Sequence, residues 1–167
     1  KSVELLDELS PEAQLIGAVN TVLNDNGKLI GYNTDGYGFM QSVRDAGHDI
    51  TGKNITVMGV GGASMAICAQ SALDGAASVH IFARRTSRYW NRTQKFAENL
   101  SAKTGCQVCL FDNDDHTALR DSIAQSYLLI NATSVGMVPD IDDTIIKDTS
   151  LFHPELVAVS YTHLTLP

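Results

Sequence analysis

The sequence predicts an α/β fold: a parallel sheet with helices on both faces, preceded by the tail of a smaller α/β domain. Three observations carry this. From Asn54 onward, short apolar runs alternate with longer stretches of helical spacing, which is how parallel strands covered on both faces read. The first of those runs ends in a glycine-rich turn, "GVGGAS", and an apolar helix-like stretch follows at once. Before Lys53 the alternation is missing, and a hairpin signal with short helices takes its place.

Along the chain, residues 2–9 ("SVELLDEL") have helical apolar spacing. Ser10-Pro11 starts a new helix, with proline in its first turn where a missing N–H costs nothing. Residues 18–25 and 28–34 are strand-like and meet across Asp25-Asn26-Gly27, a tight-hairpin signal. Residues 35–47 ("DGYGFMQSVRDAG") put Phe39, Met40 and Val43 on one helical face, with Gly47 as the stop. A polar connector follows. Strands are then expected at 55–60, 78–83, 107–111, 127–133 and 156–159, and helices at 63–75, 92–105 and 116–126. Residues 1–53 are read as the tail of one domain feeding into another, 54–158, in which ligands sit at the carboxyl ends of the parallel strands.

Composition narrows the function. Hydrophobic residues make up 44% and charged residues 19%, ordinary values for a globular chain. The net charge of -7 argues against a nucleic-acid or anionic-membrane partner. No apolar run approaches the roughly 20 residues of a membrane span. No signal peptide is visible, and the chain opens on lysine. Cys68, Cys106 and Cys109 form no framework, and the "CQVC" pair lies in a strand-like run where positions three apart face opposite ways. They read as buried thiols of a cytoplasmic protein. His48, His80, His116 and His153 show no metal-ligand spacing, so no metal is expected.

The turn Gly59-Val60-Gly61-Gly62-Ala63-Ser64 departs from G-x-G-x-x-G at its last position, which is Ser64. Between a strand and a helix it still suits a dinucleotide pyrophosphate, held by free helix N–H groups and the positive dipole end. The bland alternative is a turn that serves packing only. The next strand ends at Ala83, followed by Arg84, Arg85, Thr86, Ser87 and Arg88. An NAD-preferring site usually carries a carboxylate there. Its absence, with guanidinium groups suited to a phosphate fork, points to NADP, NAD being the alternative. The same arginines also read as a solvated helix start.

Asn20 in "GAVNT" and Asp35 in "NTDG" lie at the open end of the hairpin, so antiparallel pairing brings them together. Asp35, set between an apolar strand and an apolar helix, looks buried. Taken singly, Asn20 also reads as a turn residue and Asp35 as a helix N-cap.

"GAVNT", "GYNTDGYGF", "GVGGAS" and "NATSVGM", in that order, resemble the shikimate dehydrogenases, including the quinate/shikimate branch. The resemblance runs from about residue 6 to 158. It implies an enzyme with an NADP-binding Rossmann domain that reversibly reduces 3-dehydroshikimate to shikimate in aromatic amino-acid biosynthesis, acting as a monomer or homodimer. It implies that Asn20, Thr34 and Asp35 hold substrate hydroxyls and that Asp35 is half of a Lys/Asp catalytic pair. It gives Gly59, Val60, Gly61, Gly62, Ala63 and Ser64 to the pyrophosphate, and Ala83, Arg84, Arg85 and Arg88 to the adenosine phosphate. Thr133, Ser134 and Val135, with the turn to Met137, fall to the nicotinamide side.

The chain departs from the family at both ends. The Met-Pro-x-Lys motif and the Ser-x-Ser clamp are not in it, and Lys1 has no such motif ahead of it. After "LVAV" the family's Tyr-Asn-Pro is replaced by "SYTHLTLP". Read in frame, TCT TAT ACA CAT CTG ACG CTG CCG encodes that segment and resembles a sequencing-adapter end. Residues 159–167 are therefore expected to be a scar, with no function for Tyr161 or His163, and the 167 residues alone to be inactive. A non-catalytic NADP-binding regulatory module is the competing reading. A methyltransferase is disfavoured, because it expects an acidic residue where Ala83 stands.

Overall fold

In the computed structural model, residues 3–139 and 141–161 are described; His163 and the rest of the tail lie outside them. The first unit is a three-stranded sheet. β1 (Glu8–Leu9) runs parallel to β3 (Lys28–Tyr32), and β2 (Thr21–Asp25) pairs antiparallel with β3 across the expected hairpin. α1 (Pro11–Ile16) starts as the sequence predicts: Pro11 is its first residue and the Ser10 hydroxyl accepts from Ala13 N. Of the helix expected over 2–9, the described residues 3–9 form none. A single 3-10 turn, Val3–Leu5, gives way to β1, because Glu8 and Leu9 find backbone partners along the edge of β3. Tertiary pairing overrides a short apolar spacing here.

α2 (Asp35–Asp45) leads across to the second unit, a five-stranded parallel sheet in the order β6-β5-β4-β7-β8. Its strands are β4 (Asn54–Met58), β5 (Ser78–Ala83), β6 (Gln107–Asp112), β7 (Leu128–Asn131) and β8 (Val157–Ser160). α3 (Gly62–Leu73) and α4 (Trp90–Thr104) follow β4 and β5, and α5 (His116–Gln125) follows β6. The Rossmann-like expectation therefore holds. At the far end, Val159 and Ser160 pair with Ile130 and Asn131, and the Tyr161 ring lies 5.9 Å from that of Phe39. Those three residues, set aside on sequence grounds, are thus placed in the sheet and on its core. An edge strand is recruited through its backbone, which the reading of the tail did not weigh.

The main core lies between the sheet and α1 to α4. Ile55, Val57, Ile81, Leu128 and Ile130 face it from the strands, and Phe39, Met40 and Val43 face it from α2 as the spacing predicts. α3 is buried from Ser64 to Ala72, since it is sandwiched between the sheet and α2. Its alanines let α2 come close. At Gly36 an added β-carbon would stand 2.2 Å from the Ala66 carbonyl oxygen. The far end of the pair is tied by Arg44 to Asp74 at 2.6 Å and Gln70 to Asp74 at 2.8 Å. Of the three thiols, Cys68 and Cys106 are buried as expected, whereas Cys109 is only partly so. Burial pushes Cys68 up to about 12 and Cys106 to about 11, so both stay protonated and unreactive.

On the opposite face, α5 meets the sheet through a polar centre. Thr56, fully buried on β4, shares its hydroxyl with Ser122 at 2.6 Å and Ser126 at 2.5 Å, and Ser122 meets His80 Nδ1 at 2.9 Å. Thr56→Val keeps the shape and takes one hydroxyl partner from each serine, while Ser122 keeps His80 and Ser126 keeps the Ser122 carbonyl at 2.9 Å, so a loss of about 1 kcal/mol is expected. Burial also holds His80 below its ordinary value of 6.5. The unfolded chain then takes up that proton first as pH falls. The contribution is complete above about pH 6.5 and is lost below it. Thermal melts of the parent, Thr56→Val and His80→Gln on both sides of that pH check both points; His80→Gln should flatten the acid loss. Among the described residues, no helix is long and apolar enough to cross a membrane and no acidic, histidine or cysteine group could hold a metal ion.

Candidate active site

The open end of the hairpin is organised by one side chain. Asn20 N donates to the Tyr32 carbonyl at 3.0 Å, which places the Asn20 amide beside the turn that leads into α2. Its Oδ1 accepts from Thr34 N at 3.0 Å, Thr34 Oγ1 at 3.3 Å and Thr21 Oγ1 at 3.0 Å. Its Nδ2 donates to Asp35 Oδ1 at 2.8 Å. The predicted meeting of Asn20, Thr34 and Asp35 is therefore found.

Two readings of Asp35 need correction. It is exposed rather than buried, because the burial of this turn falls on its neighbours Asn33 and Gly36. It is also not the cap of α2. Thr34 takes that position without a side-chain bond, and Asp35 is the first helical residue. The carboxylate turns to Asn20 and spends nothing on the helix N–H groups. Nearby, burial and then the charge of Asp35 push the Tyr161 phenol above its ordinary value.

Across from Asp35 stands the glycine-rich turn. Gly59 takes φ +108°, and a β-carbon there would meet the Ala132 carbonyl oxygen at 2.8 Å and Thr133 Cγ2 at 3.0 Å. Only glycine fits both the conformation and the space. Gly61 caps α3 in extended conformation with no side-chain bond, and nothing lies within 4 Å of a β-carbon at Gly61 or Gly62. The first turn of α3 thus has no side-chain cap, and its two glycines leave room beside it. Ser64, the departure from the glycine pattern, is fully buried and donates to the Gly59 carbonyl at 2.6 Å. It braces the turn from inside, which is why a serine serves there. Val60 and Ala63 are half-buried on either side of the two open glycines.

Both features line one cleft of about 260 Å³. Ile16, Ala18, Asn33 and Asp35 form one wall; Val60, Gly61, Gly62 and Met65 form the second; Tyr89, Arg92 and Thr93 close it. The third group was missed at the level of sequence. Helix α4 begins at Trp90, two residues before the expected start, with Tyr89 at its cap position, and Tyr89 and Arg92 both line the cleft. The cue was the "RYWNR" run directly after the arginines.

Ala83, the three arginines and the turn at Thr133 lie outside the lining of this cleft. Ala83 ends β5 and is buried, and its carbonyl accepts from Asn113 N at 2.9 Å. Arg84, Arg85 and Arg88 follow, exposed. Thr133, Ser134 and Val135 form a self-bonded turn after β7: Asn131 Oδ1 accepts from Thr133 N at 3.0 Å and Oγ1 at 2.7 Å, and Thr133 Oγ1 accepts from Val135 N at 3.1 Å. That turn abuts Gly59 and lies outside the cleft lining. A larger hollow of about 490 Å³, bounded by Asn113, His116, Arg120 and Lys147, sits on the α5 side and holds none of the predicted residues. The smaller cleft is the better site, since chemistry and glycine turn converge there.

A parallel sheet in this order, with an uncapped glycine turn after its first strand, defines the class of dinucleotide-binding Rossmann modules. Within that class the chain is similar to shikimate dehydrogenases over part of their length. It is 49% identical over 152 residues, 91% of its length, to the NADP(+) shikimate dehydrogenase of Listeria innocua serovar 6a, covering 52% of that protein. It is 41% identical to the quinate/shikimate dehydrogenase of Escherichia coli O139:H28, with 92% and 53% of the two chains covered. The crystal structure of shikimate 5-dehydrogenase from Listeria monocytogenes, in complex with shikimate and NAD, superposes with a TM-score of 0.91 at 46% identity over 95% of this chain and 54% of that one. The chain thus spans about half the length of the relatives it matches. No protein-family model matches it.

Proposed function

We propose that this chain is the cofactor half, with the adjoining edge of the substrate half, of an NADP-dependent shikimate dehydrogenase that interconverts 3-dehydroshikimate and shikimate. The observation that supports this best is the shared cleft: Asp35 and the open turn at Gly61 and Gly62 line the same 260 Å³. In this reading residues 1–53 belong to the substrate domain and 54–158 to the cofactor domain. Three unpaired cysteines suit a cytoplasmic enzyme.

The residues present fit a dinucleotide. The uncapped N–H groups of α3 can take a pyrophosphate, and the space above Gly61 and Gly62 lets it approach. Such a cofactor supplies hydride chemistry when bound. Asn20 fixes one carboxylate oxygen of Asp35, which leaves the other to accept a substrate hydroxyl. Thr34, held by the same amide, offers its hydroxyl beside it. Asp35 also supplies the negative charge that would orient a lysine proton donor, the partner the family resemblance implies. Use of quinate as well as shikimate is the alternative, favoured by the Escherichia coli relative.

For the cofactor, the reading rests on an exposed arginine run and on Ala83 where a carboxylate would repel a ribose phosphate. Losing one charge-assisted bond to phosphate should cost about 1.5–3 kcal/mol, or roughly tenfold or more in affinity. Arg84→Ala or Arg85→Ala is thus expected to weaken NADP by that factor and to spare NAD. Titration of each variant with both cofactors tests it; equal affinity of the parent for NADP and NAD would contradict the NADP assignment.

A further inference from the structure

We infer that Trp90 and Tyr89 are stacking platforms that hold Arg85 and Arg88 in place for the adenosine-ribose phosphate, and so set cofactor preference; this rests on the dinucleotide reading above. The loop after β5 carries its arginines into solvent in a chain of net charge -7. Among the described residues neither Arg85 nor Arg88 pairs with a carboxylate. Each lies instead on an aromatic ring. Arg85 Cζ is 4.6 Å from the centroid of Trp90, and Arg88 Cζ is 4.7 Å from that of Tyr89. Arg88 Nη2 also donates to Tyr89 Oη at 2.6 Å.

A guanidinium lying over a ring keeps in-plane N–H groups for a phosphate, which takes them as a fork; in Arg88 one of them, on Nη2, is committed to Tyr89 Oη and the others remain. A long flexible side chain held this way loses less freedom when the phosphate arrives. The two rings are well placed for this. Trp90 is 7% exposed at the start of α4, so it is anchored in the core while Arg85 covers it. Its indole N–H has no partner, which leaves the ring face as the part making a directed contact. Tyr89 is a wall of the cofactor cleft itself, opposite Gly61 and Gly62. The platform of Arg88 and the pyrophosphate turn therefore belong to one surface.

The test is a calorimetric titration of the 167-residue chain with NADP and with NAD. The parent is expected to favour NADP by about tenfold or more. Trp90→Leu should lower NADP affinity about three- to tenfold and leave NAD within about twofold, while Trp90→Phe, which keeps a ring face, restores NADP; Tyr89→Leu, in the cleft wall, should lower NADP about three- to tenfold more than it lowers NAD. If Trp90→Leu does not fold, the exposed Tyr89→Leu decides. A parental NADP-to-NAD ratio in the leucine variants overturns the platforms and leaves the dinucleotide reading standing. Equal loss of both cofactors overturns the platforms too, since the rings would then serve only the fold. A parent without preference overturns platforms and NADP assignment together.

Discussion

Asp35→Asn, made in the full-length protein that carries this chain, is expected to leave the melting temperature unchanged and to lower turnover by about 10² to 10⁴. The geometry makes this sharper than an ordinary carboxylate deletion. Asp35 caps nothing: Thr34 holds the cap position, and among the described residues the side-chain bond to the Asp35 carboxylate comes from Asn20 Nδ2 at 2.8 Å. An asparagine there still offers a carbonyl oxygen to that donor. The hub around Asn20 survives, and only the charge is lost. Stability should therefore move by well under about 1 kcal/mol. A purely architectural Asp35 would keep both melting and rate; melting and turnover measured on the same preparation separate the two.

Gly36→Ala is the second large effect. The added methyl would stand 2.2 Å from Ala66 O and 2.8 Å from Ala66 C, and both obstacles are backbone. No side-chain rotation relieves the clash, so α2 and α3 must part. Overpacking of this kind costs about 1–3 kcal/mol, which in a domain of this size lowers the melting temperature by about 2–4 °C per kcal/mol. The catalytic consequence should be larger. α2 carries Asp35 at its first residue, and α3 carries the open turn at its own. Parting them displaces the substrate side from the cofactor side, and a shift of about 1 Å can cost about 10²-fold. Gly38→Ala is the control, because nothing lies within 4 Å of a β-carbon there. A Gly36→Ala protein with parental melting and turnover would show that the helices yield freely.

Much of this was legible in the residues. The parallel strands announced themselves as apolar runs, and β5 falls on the expected 78–83. Asn20 and Asp35 were brought together by hairpin geometry alone. What failed is equally specific. Residues 8 and 9 joined a sheet whose partner strand lies twenty residues on, information no local spacing contains. The exposure of Asp35 depended on Gly36 taking the buried side of the turn. The inward bond of the Ser64 hydroxyl to Gly59 O, which braces the turn, is likewise a contact that the fingerprint does not spell out. Tyr89 and Arg92 escaped because they reach the cleft through the packing of the start of α4 beside the glycine turn, a tertiary contact that local spacing does not contain.

The central claim is that Asp35 and the glycine turn serve one reaction in one cleft. Its most direct measurement is NADPH formation from NADP and shikimate by the full-length protein that carries this chain, with Asp35→Asn beside it. The expected result is saturable turnover in the parent, about 10² to 10⁴ slower in the variant at equal NADP affinity. A parent that binds NADP and reduces none of it, with shikimate or with quinate, would contradict the claim and leave a binding module in its place.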